Sequence, residues 1–113
     1  MTNVHVLSFH GELDMACKAH INRELSRISL LGTDPVAILD LSDVKYIDST
    51  FLNELARAES HKIPGTRICV VASAFILRVL TFTSFDRVIA LFEDAISARR
   101  FADSIDSAAA IGA

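Results

Sequence analysis

Residues 36–55 constrain the fold of this chain more than any other stretch. The stretch opens with a continuous apolar run, residues 36–39, which follows Pro35 and is typical of a strand buried on both faces. It closes with apolar side chains at helical spacing: Phe51, Leu52, Leu55 and Ala56. A buried strand that leads into an amphipathic helix is typical of a sheet covered by helices, so the stretch predicts an α/β domain.

The rest of the chain repeats this alternation of strand and helix. Further strands are predicted over residues 4–11, 67–71 and 88–92, and further helices over residues 15–31, from 74 to about 81, and from 93 onward. The pattern predicts one α/β layer domain over residues 1–113, with about four strands in a parallel or mixed sheet and about four helices. Residues 107–113 are small and are expected to fray.

Composition excludes several classes of function. The chain has 113 residues, of which 51% are hydrophobic and 22% charged, as in a compact single domain. A net charge of −3, with Arg and Lys scattered along the chain, provides no basic surface for nucleic acid. No apolar run approaches the roughly 20 residues of a membrane span, and no signal peptide opens the sequence. A cytoplasmic protein is therefore expected.

The cysteines and histidines predict neither a metal site nor a cofactor. Cys17 falls on a helical apolar face and Cys69 inside a strand, so both are expected to be buried, reduced thiols. The four histidines share no ligand spacing with each other or with the cysteines.

Acids and hydroxyls separate the central strand from its helix. Residues 40–47 are interpreted as an acidic loop, and Asp48, Ser49 and Thr50 stand just before the helix, where each can cap its N-terminus. Asp14 follows the first strand and is also a candidate cap. The two acidic positions would meet if the first two strands are neighbours. Ser49 is then either a cap or a switch, since one cap needs only one residue.

An enzyme is not expected. Ser49 as a nucleophile would need a base and an oxyanion hole, and no Gly-x-Ser-x-Gly sequence surrounds it. The four glycines are not clustered, which excludes a phosphate-cradling loop. Asp40 and Asp43 could bind a cation weakly, but a solvated loop is the simpler interpretation.

Three motifs resemble one family. They are Gly-Glu-Leu-Asp at residues 11–14, Ile-Leu-Asp-Leu-Ser-Asp-Val at 38–44 and Ile-Asp-Ser-Thr at 47–50. Together they resemble the STAS domain, in particular the bacterial anti-sigma factor antagonists, and the similarity extends over nearly the whole chain. The resemblance implies a small sheet with helices packed mainly on one face.

The resemblance also implies partner switching. An unmodified antagonist of this kind binds an anti-sigma factor that is also a serine kinase, phosphorylation releases it, and a serine phosphatase resets it. By this resemblance Ser49 is the phosphorylated residue. The surface that meets the partner is then formed by Asp14, Asp48, Ser49, Thr50 and Phe51.

Phe51 departs from the family, which usually has glycine at this position. A phenylalanine there could either block the approach of a kinase loop or anchor a different partner. The alternative function is therefore a scaffold or adaptor STAS domain in a stress-signalling assembly or a transport complex. A homodimer or a larger assembly is compatible with either function.

Overall fold

The computed structural model describes the backbone of residues 3–112 and the side chains of residues 3–105. The strands are β1 (Val4–Leu13), β2 (Val36–Ile47), β3 (Arg67–Ala72) and β4 (Ala90–Phe92). The helices are α1 (Lys18–Ser26), α2 (Ser49–His61), α3 (Ala74–Phe82) and α4 (Ala95–Gly112). Short 3-10 turns occupy Met15–Cys17, Arg27–Leu30 and Phe85–Arg87.

The four strands form one sheet in the order β1-β2-β3-β4, and every neighbouring pair is parallel. Parallel neighbours need a crossover connection, and a helix lies in each of the three connections between strands. The predicted α/β fold, with about four strands in a parallel or mixed sheet, is confirmed, and all of its strand pairs are parallel.

Helices cover both faces of the sheet, but unequally. Side chains of α1, α2 and α3 share the larger core with one face of the sheet, whereas Ala98 and Ala102 of α4 pack on the other face. The apolar run of β2 serves both layers because successive side chains point to opposite faces: Ala37 and Leu39 face α1–α3, and Val36 and Ile38 face α4. Three of the four helices therefore lie on one face, as expected.

The predicted loop over residues 40–47 was wrong, because β2 continues through it to Ile47. β3 pairs with β2 only as far as Leu41, so the rest of β2 pairs with β1 alone. Register shifts interrupt this pairing on either side of Gly11, whose φ of +74° lies in the left-handed region. Asp43 is exposed because it lies in the part of β2 that pairs with β1 alone, whereas Asp40 pairs with Val71 and is half-buried. Both acids were mistaken for parts of a loop.

Smaller differences concern the ends and faces of elements. Phe75 of α3 is 59% exposed although it is a large apolar side chain, and Ala95 is exposed at the start of α4. β4 is shorter than predicted because a 3-10 turn at Phe85–Arg87 leads into it and leaves Val88 exposed. The prediction that residues 107–113 fray concerns residues whose side chains fall outside the described range.

The two cysteines are free thiols in different environments. Cys69 is fully buried in β3, whereas Cys17, which was also expected to be buried, is only half-buried and its thiol donates to the Glu12 carbonyl at 3.4 Å. Burial raises the pKa of the Cys69 thiol to about 11, although nearby Arg67 opposes the shift.

We expect an alkylating reagent at pH 8 to modify Cys17 in the native protein and to leave Cys69 unmodified, because the thiolate is the reactive form. In denaturant both should react, and mass spectrometry of the peptides distinguishes them. Because folding raises the pKa of Cys69, this thiol contributes to the free energy of unfolding. The contribution is complete below pH 9, which is the ordinary pKa of a cysteine, and it is lost as the pH rises towards 11. Equal labelling of both thiols in the native state would contradict the assignment.

Candidate partner-binding site at the start of α2

The ends of β1 and β2 bring two acidic residues together. Leu13 pairs with Ile47 in the parallel register, and the Asp48 N–H donates to the Leu13 carbonyl at 3.3 Å. Asp14 and Asp48 therefore follow neighbouring strand ends at the same edge of the sheet. The expectation that these two positions meet is confirmed.

Both carboxylates cap the helical segments that follow them. Asp14 Oδ1 accepts from the Ala16 N–H at 3.0 Å, and Asp48 Oδ1 accepts from the Thr50 N–H at 2.8 Å. Asp14 and Asp48 have extended backbones, as cap residues do. Their negative charge also complements the positive end of the helix dipole.

Ser49 is the first residue of α2 and not its cap, because Asp48 fills that position. The Ser49 side chain is exposed, and within residues 3–105 its hydroxyl makes no hydrogen bond. The sequence allowed Ser49 to be either a helix cap or a switch, and Asp48 is the cap. The Ser49 hydroxyl is accessible to another molecule.

Thr50 and Phe51 differ in what they offer to a partner. Thr50 is half-buried beside Asp48. Phe51 is 0% exposed, and its ring packs edge-on against Phe9 with ring centroids 6.0 Å apart. Phe51 is therefore a core residue in this conformation, and the expectation that its side chain contacts a partner or blocks one disagrees with its position.

Two exposed apolar side chains at the same edge were missed by sequence reasoning. Met15 follows the Asp14 cap and is 75% exposed, and Tyr46 is exposed two residues before Asp48. The signal for Tyr46 was its neighbour Ile47: once residues 40–47 form a strand, a buried Ile47 makes Tyr46 point outward. Apolar side chains beside a free hydroxyl are suited to contact with another protein.

Two acidic residues earlier in β2 contact neighbouring residues. Asp43 lies 3.3 Å from His10 of β1, with both side chains largely exposed, so this contact contributes little stability. Asp40 accepts hydrogen bonds from the backbone and the hydroxyl of Ser42. Within the described part of the chain, no group of three or more His, Cys, Asp or Glu side chains could hold a metal ion.

The family model for the STAS domain matches residues 2–108 of this chain. The chain belongs to the STAS domain family.

Solved structures show the same STAS fold at low sequence identity. An anti-sigma factor antagonist from Mycobacterium paratuberculosis is similar with a TM-score of 0.80 and 24% identity over 89% of this chain and 86% of that chain. A sulfate transporter family protein from Wolinella succinogenes is similar with a TM-score of 0.75 and 19% identity, over 93% of this chain and 88% of that chain. The anti-sigma factor antagonist SpoIIAA in its unphosphorylated form is similar with a TM-score of 0.62 and 17% identity, over 96% of this chain and 91% of that chain.

A comparison with curated proteins found no significant match. Among the described residues of this STAS domain, no helix is both long and apolar enough to cross a membrane. The similar structures include antagonists and a transporter-family protein, so the similarity supports the fold. The function has to be argued from the residues of this chain.

Proposed function

We propose that this STAS domain is an anti-sigma factor antagonist that works by partner switching through Ser49. The observation that carries the proposal is the exposed Ser49 hydroxyl, which makes no hydrogen bond within residues 3–105 and directly follows the capping residue Asp48. In the unmodified state the domain binds an anti-sigma factor that is also a serine kinase. Phosphorylation of Ser49 releases it, and a serine phosphatase restores binding.

The fold supports a phosphate at this position. A phosphoserine adds about −1.5 to −2 charges, and the first turn of a helix is a favourable place for negative charge. Ser49 carries no capping hydrogen bond that modification would break, since Asp48 already caps α2 through Thr50. Phosphorylation is therefore expected to leave the domain folded.

The same phosphate would disrupt binding to a partner. The proposed contact surface consists of Asp14, Asp48, Ser49 and Thr50 with the exposed side chains of Met15 and Tyr46. A partner that packs on Met15 excludes water from the edge, and a dianion beside two carboxylates is costly where water is excluded. Phosphorylation thus changes affinity through the interface and not through the fold.

In this proposal the domain is a substrate and a ligand, not a catalyst, and it acts in the cytoplasm. Ser49 has no base within hydrogen-bonding distance among the described side chains, which supports a role as phosphate acceptor and not as nucleophile.

The proposal is tested by incubating the protein with its candidate kinase and ATP, then locating the phosphate by mass spectrometry. We expect one phosphate on Ser49, none on the Ser49→Ala variant and unchanged modification of Ser60→Ala, which lies at the other end of α2. Phosphate on another residue with Ser49 unmodified would refute the switch.

A scaffold or adaptor is the second candidate, and the outer face of α3 favours it. Phe75 and Phe82 lie seven residues apart on one side of this helix, with Arg78 between them, and Phe82 is 91% exposed. An exposed aromatic pair of this kind is suited to a protein interface. Light scattering after size-exclusion chromatography separates the candidates: a large homo-oligomer that dissociates in Phe82→Ser favours the scaffold, and a monomer or dimer the antagonist.

A further inference from the structure

β1 is a long strand at an open edge of the sheet. It lies outermost in the order β1-β2-β3-β4, and among the described residues its ten residues pair with β2 alone. This pairing is regular over residues 4–8, and the first register shift follows Ser8. An edge strand presents a row of backbone donors and acceptors to any other strand that can reach it.

Three residues in the regular part of β1 direct their backbone groups away from the sheet. In a parallel pair, alternate residues point their N–H and C=O groups towards the neighbouring strand. The Val36 N–H donates to the Asn3 carbonyl at 2.9 Å, so the odd-numbered residues that follow Asn3 face β2. The backbone groups of Val4, Val6 and Ser8 therefore face outward, and within the described part of the chain they have no hydrogen-bond partner.

This edge lacks the features that usually prevent strands from pairing. Natural edge strands are commonly blocked by proline, by charged side chains or by a bulge. Residues 4–8 are regular in their pairing and contain no proline and no Lys, Arg, Asp or Glu. Val6 points to the face of the sheet that carries α4, yet it is 52% exposed, and with Ile38 and Ala95 it lines a cavity of about 220 Å³. An apolar side chain thus stands uncovered at the middle of the open edge.

The outward groups of this edge are complementary to themselves. Val4, Val6 and Ser8 are evenly spaced, so a second copy of β1 rotated by 180° about Val6 presents the same groups in the opposite order. Val6 then lies opposite Val6 of the second copy, and Val4 lies opposite Ser8. Each such pair exchanges two N–H···O bonds in an antiparallel ladder, which gives roughly six bonds in all. The two exposed Val6 side chains lie side by side on one face and cover each other.

We propose that this chain forms a two-fold symmetric dimer in which two β1 strands pair antiparallel about Val6 and join the two sheets into one. The dimer is closed, because the edge that remains on each copy is β4, which has only three residues.

The dimer leaves the start of α2 accessible on both copies. Asp48 follows Ile47, which pairs with Leu13 at the far end of β1. Leu13 lies seven residues from Val6, or about 23 Å along the strand, and the two copies point in opposite directions from the axis. The two Ser49 hydroxyls are therefore at opposite ends of the dimer, and the pairing does not depend on the function proposed for Ser49.

The first test is light scattering after size-exclusion chromatography, over a range of loading concentrations up to about 1 mM. We expect the mass of two chains, and we expect Val6→Lys to raise the dissociation constant of the dimer at least about tenfold, since a lysine at this position opposes strand pairing. Circular dichroism should show that Val6→Lys keeps the helix content of the wild type. Ile63→Lys is the matched control, because Ile63 is 51% exposed in the connection between α2 and β3, and it should remain a dimer.

The second test is cross-linking by engineered cysteines in a Cys17→Ser background, which removes the half-buried native thiol. Val6→Cys should form a disulfide between chains under mild oxidation, because directly opposed residues of this kind have Cα atoms about 5.5 Å apart. Ser8→Cys, exposed on the same face, should not, because the two-fold axis places its two copies about 13 Å apart. A monomer at 1 mM would overturn the proposal. So would a dimer in which Val6→Cys fails to cross-link, or in which Ser8→Cys cross-links equally well.

Discussion

Replacing Phe51 with alanine is expected to lower the free energy of unfolding by about 3–5 kcal/mol, because the substitution leaves a cavity in the main core. The ring is 0% exposed, and it packs edge-on against Phe9 of β1. It therefore joins the start of α2 to the sheet directly beneath Ser49. Urea unfolding followed by circular dichroism measures the change.

The control for this prediction is Phe82→Ala, which removes a ring of the same size that is 91% exposed. That variant should change stability by less than about 0.5 kcal/mol. Phe51→Gly, which introduces the glycine usual in the family, should be worse than Phe51→Ala by about 1 kcal/mol because glycine also weakens a helix. A Phe51→Ala protein as stable as the wild type would show that the ring does not support the core.

Replacing Ser49 with aspartate is expected to leave the fold intact and to weaken binding to the anti-sigma factor kinase by about 30-fold or more. A single misplaced charge at a desolvated interface costs about 2–5 kcal/mol, and the new carboxylate would stand beside Asp14 and Asp48. The fold should tolerate it because Ser49 is exposed at the positive end of α2. Calorimetric titration with the partner measures the affinity.

Ser60→Asp adds the same charge at an exposed position near the other end of α2, about 16 Å away along the helix axis, and should bind the partner normally. Ser49→Ala should also bind, since it keeps the surface uncharged. Tight binding by Ser49→Asp, with the helix content of the wild type, would exclude a switch that works by charge at this edge.

Local sequence chemistry predicted the elements of this fold, the cap at Asp14 and a capped start to α2 within residues 48–50. Asp14 and Asp48 are short acids placed directly before helical turns, and their hydrogen bonds to Ala16 and Thr50 involve residues two positions along the chain. Such interactions depend on neighbours in sequence and can be inferred without the rest of the fold. The same holds for the apolar run of β2, whose two buried faces require helices on both sides of the sheet.

Residues 40–47 and Phe51 show where local patterns fail. The acids of β2 indicated a loop because polar residues were not expected to continue a buried strand. However, β2 extends beyond the end of β3 and continues to pair with β1 alone. The resemblance placed Phe51 on the partner-binding surface, although the apolar spacing of α2 also included it. In the structure its ring packs against Phe9, which lies 42 positions earlier in the chain.

The sequence by itself determined the α/β class, the family resemblance and an acidic, hydroxyl-bearing start to α2, because each depends on residue types at short spacing. Only the tertiary structure decided that Asp48 caps this helix and leaves the Ser49 hydroxyl free. It also decided that Phe51 packs against Phe9 in the core instead of facing a partner, and that Met15 and Tyr46 remain exposed. These outcomes depend on which strands become neighbours and on what remains uncovered once they pack, and no local pattern contains that information.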